Sequence, residues 1–377
     1  KSIEIYKAYY YLNVMCPVQY LFLLYMTMGK NLQLGDALLL FSLYNLTTVL
    51  LEVPFGYLAE LIGYKKTMLI GTIFIFFSFI LMYKGNGFFH MSCMVILQGI
   101  SGALLSGADE ALCYEYFKKN GQEDKFKKWI SKMYGRREVL GGIVTVFGGY
   151  LFAVNMDFPV MASIFVAFIM CGSVVLLTEV PVRGKGRTSI IAKTIISSLF
   201  RTTYLYKYYL LLATIGNFLL ANINFTVTTY MQTMNFNLKY VGVLLLAFKI
   251  AAGAGGKLNN KLGMSLEKLL CFCAILVAIL GYSKSWMFSV LLLLLLRIVN
   301  GMFYPSASAE INRHISGNRA YLLSVQNLAQ SASLAVGTPL LGYMIDNRGY
   351  SSAYISMLIF VLFIFIALIG WKYKNKH

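Results

Sequence analysis

Gly56-Tyr57-Leu58-Ala59-Glu60-Leu61-Ile62-Gly63-Tyr64-Lys65-Lys66 closes one long apolar segment and opens the next. Its glycines let two helix ends approach closely, and its acid can pair with either lysine across a gap at the membrane surface. The pattern returns 200 residues on, as Gly256-Lys257-Leu258-Asn259-Asn260-Lys261-Leu262-Gly263. A second echo joins Gln98-Gly99 to Asn300-Gly301, 202 residues apart. The chain therefore reads as one ancestral unit used twice.

Outward from these turns the sequence is too apolar for water. Of 377 residues, 58% are hydrophobic and only 13% charged, with a mean hydropathy of +0.67. Soluble domains carry about 25% charged residues. A helix crossing hydrocarbon needs about 20 mainly apolar residues. Segments of that kind fall at 9–29, 35–58, 67–84, 89–116, 134–154 and 158–180. They resume at 208–233, 238–258, 265–283, 285–312, 321–345 and 350–371. The expected fold is an all-α integral membrane protein with twelve transmembrane helices in two pseudo-symmetric six-helix halves, 1–180 and 208–377. The run Tyr9–Met28 is long enough to be the first span rather than a cleaved signal.

The net charge of +18 is a matter of topology. With both termini and the even-numbered loops on one side, that side receives 26 of the 33 Lys and Arg and the other side five. Lys249 and Arg297 stay inside spans. The positive-inside rule then puts both termini in the cytoplasm and accounts for the basic character without nucleic acid. Between the halves, 181–207 carries six basic and no acidic residues. Ile190, Ile191, Ile195, Ile196, Leu199 and Phe200 recur there at helical spacing, which suits an amphipathic helix on the inner leaflet. Paired six-helix repeats are what secondary transporters use, with the substrate held between them.

At these residues the chain resembles the major facilitator superfamily over essentially its whole length. Gly56 to Lys66 is similar to that family's signature loop between its second and third helices. The resemblance implies that Gly56 and Gly63 shape this loop, and that Glu60 with Lys65 or Lys66 helps lock the outward-facing state. Glu52-Val53-Pro54-Phe55-Gly56, the run Ser106 to Leu112 and the run Asn318 to Ser324 resemble a branch rich in bacterial efflux proteins. Two positions depart from its proton antiporters. Val95 stands where an arginine is common, and Val144-Thr145 where Gly-Pro is common.

An ionisable group inside a span costs about 2.5–3.5 kcal/mol on insertion scales, so each is a functional candidate. In the fourth span Gly99, Gly102, Ser106 and Glu110 step along one small, polar face, with Asp109 about 100° away. Two adjacent acids in a low-dielectric cavity do not both ionise cheaply, so one is expected to carry a proton. Glu52, Asp109 and Glu110 are the proton-coupling candidates, and pairing of either fourth-span acid with Lys118 is the plainer alternative. Arg136, Arg137 and Glu138 open the fifth span and read as inner-gate pairs. Lys249 shares a face with Gly253 and Gly256, and reads either as a counter-ion in the cavity or as half of a buried pair. Arg297 steps to Gly301, Pro305 and Ser308, so it is expected to look into protein, with Asn300 nearby.

The seventh span carries Asn217, Asn222, Asn224 and Tyr230, and the first Asn13, Gln19 and Tyr20. Facing lipid they are costly, so a wet cavity or a neighbouring helix must receive them. The cavity reading makes them substrate contacts; the other makes them interhelical bonds. No catalytic constellation, phosphate-binding loop or metal-ligand spacing is present, so no enzyme activity, cofactor or metal is expected. The six cysteines read as core residues. The expectation is a monomer in the cell membrane that exports a small amphipathic compound by alternating access, in exchange for protons. Uptake or facilitated diffusion of a polar or anionic metabolite, anchored by Lys249 and Arg297, is the alternative. A scaffold or sensor without turnover is the third reading.

Overall fold

The computed structural model describes residues 2–106, 108–180, 203–314 and 319–375. The amphipathic linker helix expected near 190–201 lies outside them. Among the described residues every regular element is a helix. These are α1 (Ser2–Leu12), α2 (Leu34–Ile62), α3 (Tyr64–Lys84), α4 (Gly87–Leu105), α5 (Ala108–Lys119) and α6 (Glu123–Val154). They continue as α7 (Phe158–Val175), α8 (Tyr204–Thr233), α9 (Val241–Leu262), α10 (Leu266–Tyr282), α11 (Trp286–Arg313) and α12 (Arg319–Lys374). Nine helical stretches among them are long and apolar enough to cross a membrane, counting α4 and α5 as one. The remaining three spans are disguised. The first is broken after Leu12, α10 has only 17 residues, and α12 holds two helices joined at Gly349, whose φ of 75° and ψ of 170° are not helical.

The breaks have local causes. After α1 the chain runs through a 3₁₀ turn at Pro17–Tyr20, a helical turn at Phe22–Leu24 and a π turn at Tyr25–Gly29. Pro17 lacks the N–H that a continuous helix needs. The fourth span breaks at Ser106, whose ψ of 120° ends α4, and its hydroxyl donates to Glu52 Oε1 at 3.0 Å. Helix α5 then restarts with Asp109 and Glu110 in its first turn and Lys118 and Lys119 in its last, each sign at the helix end that favours it. The even stepping of Gly99, Gly102, Ser106 and Glu110 along one face assumes an unbroken helix, so the stripe stops at Ser106.

The chain divides into two compact units. The first comprises Lys1–Leu32, Leu40–Thr188 and Leu238–Leu245. Lipid gives no hydrophobic reward for burying one apolar face on another, so close packing and hydrogen bonds must hold such helices together. In this unit a side chain at Gly99 would sit 2.7 Å from Thr47 Cβ, and Ser101 Oγ donates to the Gly71 carbonyl at 2.8 Å. A Cβ at Gly149 would lie 2.7 Å from the Gly242 nitrogen. Phe77, Phe147 and Phe165 stay exposed on the outer surface, as lipid-facing side chains do.

The second unit comprises Gln33–Leu39, Ser189–Asn237 and Leu246–His377. Helix α8 is buried nearly all round and packs on α10, α11 and α12. The α9–α11 crossing is closest where Gly301 meets the Ala252 carbonyl and Gly255 meets the Ile298 carbonyl. Of the two glycines expected there, Gly256 faces the Gly301 carbonyl, 3.7 Å from where its Cβ would lie, whereas Gly253 faces open space. Gly255, about 160° round the helix from Gly253, makes the tightest approach on α9. Asp346 accepts from the Leu34 N–H at 3.2 Å and from the Gly35 N–H at 2.6 Å, satisfying orphan donors at the start of α2.

Candidate transport site

A cavity of about 450 Å³ opens inside the first unit. The break after α1 supplies Asn13 and Gln19, α4 supplies Gln98 and Ser101, α5 supplies Asp109, and α6 supplies Arg137. Phe22, Phe41, Tyr44 and Phe79 form the apolar part of the wall. Irregular backbone at membrane depth is tolerated where it lines such a space, and both broken spans do so. The wall therefore pairs aromatic surface with three amides and one charge of each sign.

Arg137 is held in place from two sides. It donates to Asn13 Oδ1 at 3.2 Å, and its guanidinium lies 5.0 Å over the Tyr10 ring. Asp109 is within its electrostatic reach. Asp109 Oδ1 accepts the N–H of Glu110 at 2.7 Å. The fully buried Tyr6 hydroxyl lies in the field of the same carboxylate and has no hydrogen-bond partner among the described residues.

The other sequence candidates are distributed unevenly. Glu110 is exposed and outside the cavity wall, and Glu52 is occupied by Ser106. Tyr20 donates to the Val14 carbonyl at 3.3 Å. In the second unit Asn217 accepts from the Tyr304 hydroxyl at 2.5 Å. Asn222 donates to the Phe218 carbonyl, while its buried Oδ1 has no partner among the described residues. Tyr230 bonds the Leu280 carbonyl and Ser289, and Asn300 is 6% exposed. Asn224 and Lys249 are half-buried. Arg297 lies 5.0 Å from the Phe248 ring.

At the loop of the opening motif, Gly63 has φ 98° and ψ 147°, a conformation reserved in practice for glycine. Glu60, Gly56 and Lys66 are exposed there. Lys65 turns to the end of the sixth span: its N–H meets Glu179 Oε1 at 3.2 Å and its ammonium the Val175 carbonyl at 2.8 Å. Arg136 and Glu138 are exposed at the start of the fifth span.

Glu179 escapes a sequence reading, as do Gln98 and Tyr44 as lining residues. The available signals were an acid at the very end of an apolar segment and single polar groups inside two others.

A sequence profile of the Major Facilitator Superfamily matches residues 10–283. The chain is 27% identical over 139 residues to an uncharacterized MFS-type transporter, YwoD, of Bacillus subtilis (strain 168). That match covers 35% of this chain and only 31% of the relative. Among solved structures, the nucleoside transporter NupG superposes with a TM-score of 0.79 at 13% identity, over 98% of both chains. Tetrameric PepTSo2 superposes with a TM-score of 0.72 at 12% identity, over 100% of this chain and 98% of that one. At such identities the two structures speak for the fold alone. With the profile covering most of its length and this fold beneath it, the chain belongs to the Major Facilitator Superfamily and is a multi-pass membrane protein.

Proposed function

We propose that this transporter exchanges protons for a small amphipathic organic compound, which it exports across the cell membrane with both termini in the cytoplasm. The observation that carries the reading is the placing of Asp109 and Arg137 on the wall of one cavity, beside Asn13, Gln19 and Gln98. Protonation of Asp109 removes the negative charge beside Arg137, whose guanidinium, held by Asn13 and Tyr10, is then left to be balanced by substrate. Deprotonation restores the opposing charge. A ligand can shift such an equilibrium only by its differential affinity for the two states, so substrate and proton must compete for the same charge balance. The aromatic wall suits an apolar body, and the amides suit its polar edge. Export rather than uptake is supported by the segments Ser106 to Leu112 and Asn318 to Ser324.

Everted vesicles with an acidic lumen test the proposal. Adding a transported compound should release lumenal protons, and Asp109→Asn should abolish that release while leaving the protein folded in the membrane. Proton release undiminished in Asp109→Asn would rule this carrier out.

A further inference from the structure

The half of the chain from 208 to 377 contains only three acidic residues, Glu267, Glu310 and Asp346. Each is engaged away from Arg297. Glu267 pairs with Lys372 at 2.9 Å and accepts from the Tyr208 hydroxyl. Glu310 lies 3.8 Å from His314, and Asp346 caps the start of α2. Arg297 nonetheless sits in the span Trp286–Ile311, half-buried, and among the described residues nothing accepts a hydrogen bond from its guanidinium. A guanidinium stays charged in proteins, so it cannot escape by losing its proton.

Its setting is fixed. Arg297 stands one turn before Gly301, and Phe248 one turn before Ala252, at the closest point of the α9–α11 crossing. One face of the guanidinium is covered by the buried Phe248 ring at 5.0 Å. Farther along the same face of α11, Tyr304 is tied down by its bond to Asn217. A guanidinium stacked by one face still offers its edge, a planar fork of donors that matches a carboxylate. One positive charge balances one negative charge, which suits a carboxylate better than a doubly charged phosphate.

We infer that Arg297 is the anchor for an organic monocarboxylate, with Phe248 and Tyr304 alongside its apolar body. The charge that the second half lacks is then delivered by the substrate. This inference rests on the chain being a transporter with a substrate site, but not on proton coupling or on the direction of transport.

The test is thermal unfolding of the purified full chain in detergent, with no pH gradient. The probes are benzoate, indole-3-acetate and octanoate, each beside its uncharged primary amide, together with phenyl phosphate. A carboxylate should raise the unfolding midpoint in a saturable way, and its amide should not. Arg297→Gln should weaken that binding by about ten- to hundredfold, the worth of a charge-assisted pair. Arg297→Lys, which keeps the charge but loses the fork, should still lose about tenfold, and it carries the test if the glutamine variant does not fold.

No separation of any carboxylate from its amide in the native chain would overturn the inference. So would equal affinity in either variant, or a preference for phenyl phosphate. Loss of proton release in Asp109→Asn with this binding intact, or the reverse, tells the two proposals apart.

Discussion

Arg137 of α6 donates to Asn13, just past the end of α1, at 3.2 Å, and so ties the fifth span to the point where the first one breaks. Asn13 immediately follows the last residue of α1, Leu12. The same guanidinium covers Tyr10 and shares a cavity wall with Asp109. Among the described residues Arg137 and Asp109 do not close an ion pair, although each feels the other's charge. An arginine held by an amide and an aromatic ring stays in place when its carboxylate neighbour is neutralised. On the proposed reading it is the fixed member of the pair and Asp109 the variable one.

Removing the fixed member should slow transport strongly. Arg137→Gln is expected to lower the transport rate by about tenfold or more, since a charge-assisted bond and a ring contact are lost together. Combining it with Asp109→Asn should cost less than the two single changes added, because the residues share one interaction. Rates from reconstituted vesicles for the two single variants and the double variant provide the check.

The adjacent acid should matter little. Glu110 is exposed and outside the cavity, so Glu110→Gln is expected to transport at close to the native rate and keep its proton dependence. Glu52→Ala should act on stability, because it removes the acceptor of the Ser106 hydroxyl at the helix break. A loss of about 0.5–1.5 kcal/mol, read from unfolding in detergent, is the expected scale for one hydrogen bond.

Gly63 is expected to tolerate no side chain. Its φ of 98° lies where an L-residue is strained by about 1–3 kcal/mol, and a methyl group would come within 2.8 Å of Glu179 Oε1. Gly63→Ala should therefore lower the thermal midpoint and release Lys65 from Glu179. Glu179→Gln, which keeps the shape but removes the charge, should loosen the same turn with a smaller stability loss. A thermal midpoint for Gly63→Ala equal to that of the native protein would contradict this account of the loop.

The α9–α11 crossing makes a sharper demand. A methyl group at Gly301 would run into the Ala252 carbonyl oxygen, and one at Gly255 into that of Ile298. Both obstacles are backbone, so neither can rotate away. Gly301→Ala and Gly255→Ala should each cost at least the 1–3 kcal/mol typical of overpacking and reduce the folded yield. Gly253→Ala, facing open space, should express normally and serves as the internal control.

The spans were legible because hydrocarbon imposes a length and a composition that residues 67–84 or 158–180 cannot hide. The repeat at 56 and 256 added the expectation of two halves, and the uneven sharing of lysines the expectation of an orientation. The break at Ser106 was not legible. Its causes are an extended ψ and a bond to Glu52, 54 positions away, while the local sequence reads as one continuous helix. The same holds for Glu179, whose use depends on where the ends of two spans meet, and for Gly255, which lies about 160° round the helix from the open position at Gly253.

Polar residues in spans announced that something must receive them, but not what. Asn13 and Gln19 line a cavity, whereas Tyr230 is spent on Leu280 and Ser289.

On the proposed reading Asp109 carries the coupled proton. Proton release from acidic-lumen everted vesicles, recorded on addition of compound in native, Glu110→Gln and Asp109→Asn proteins at matched abundance, addresses it directly. Release is expected in the first two and none in the third, with compound still bound by the purified Asp109→Asn chain. Release from Asp109→Asn equal to the native signal would contradict it.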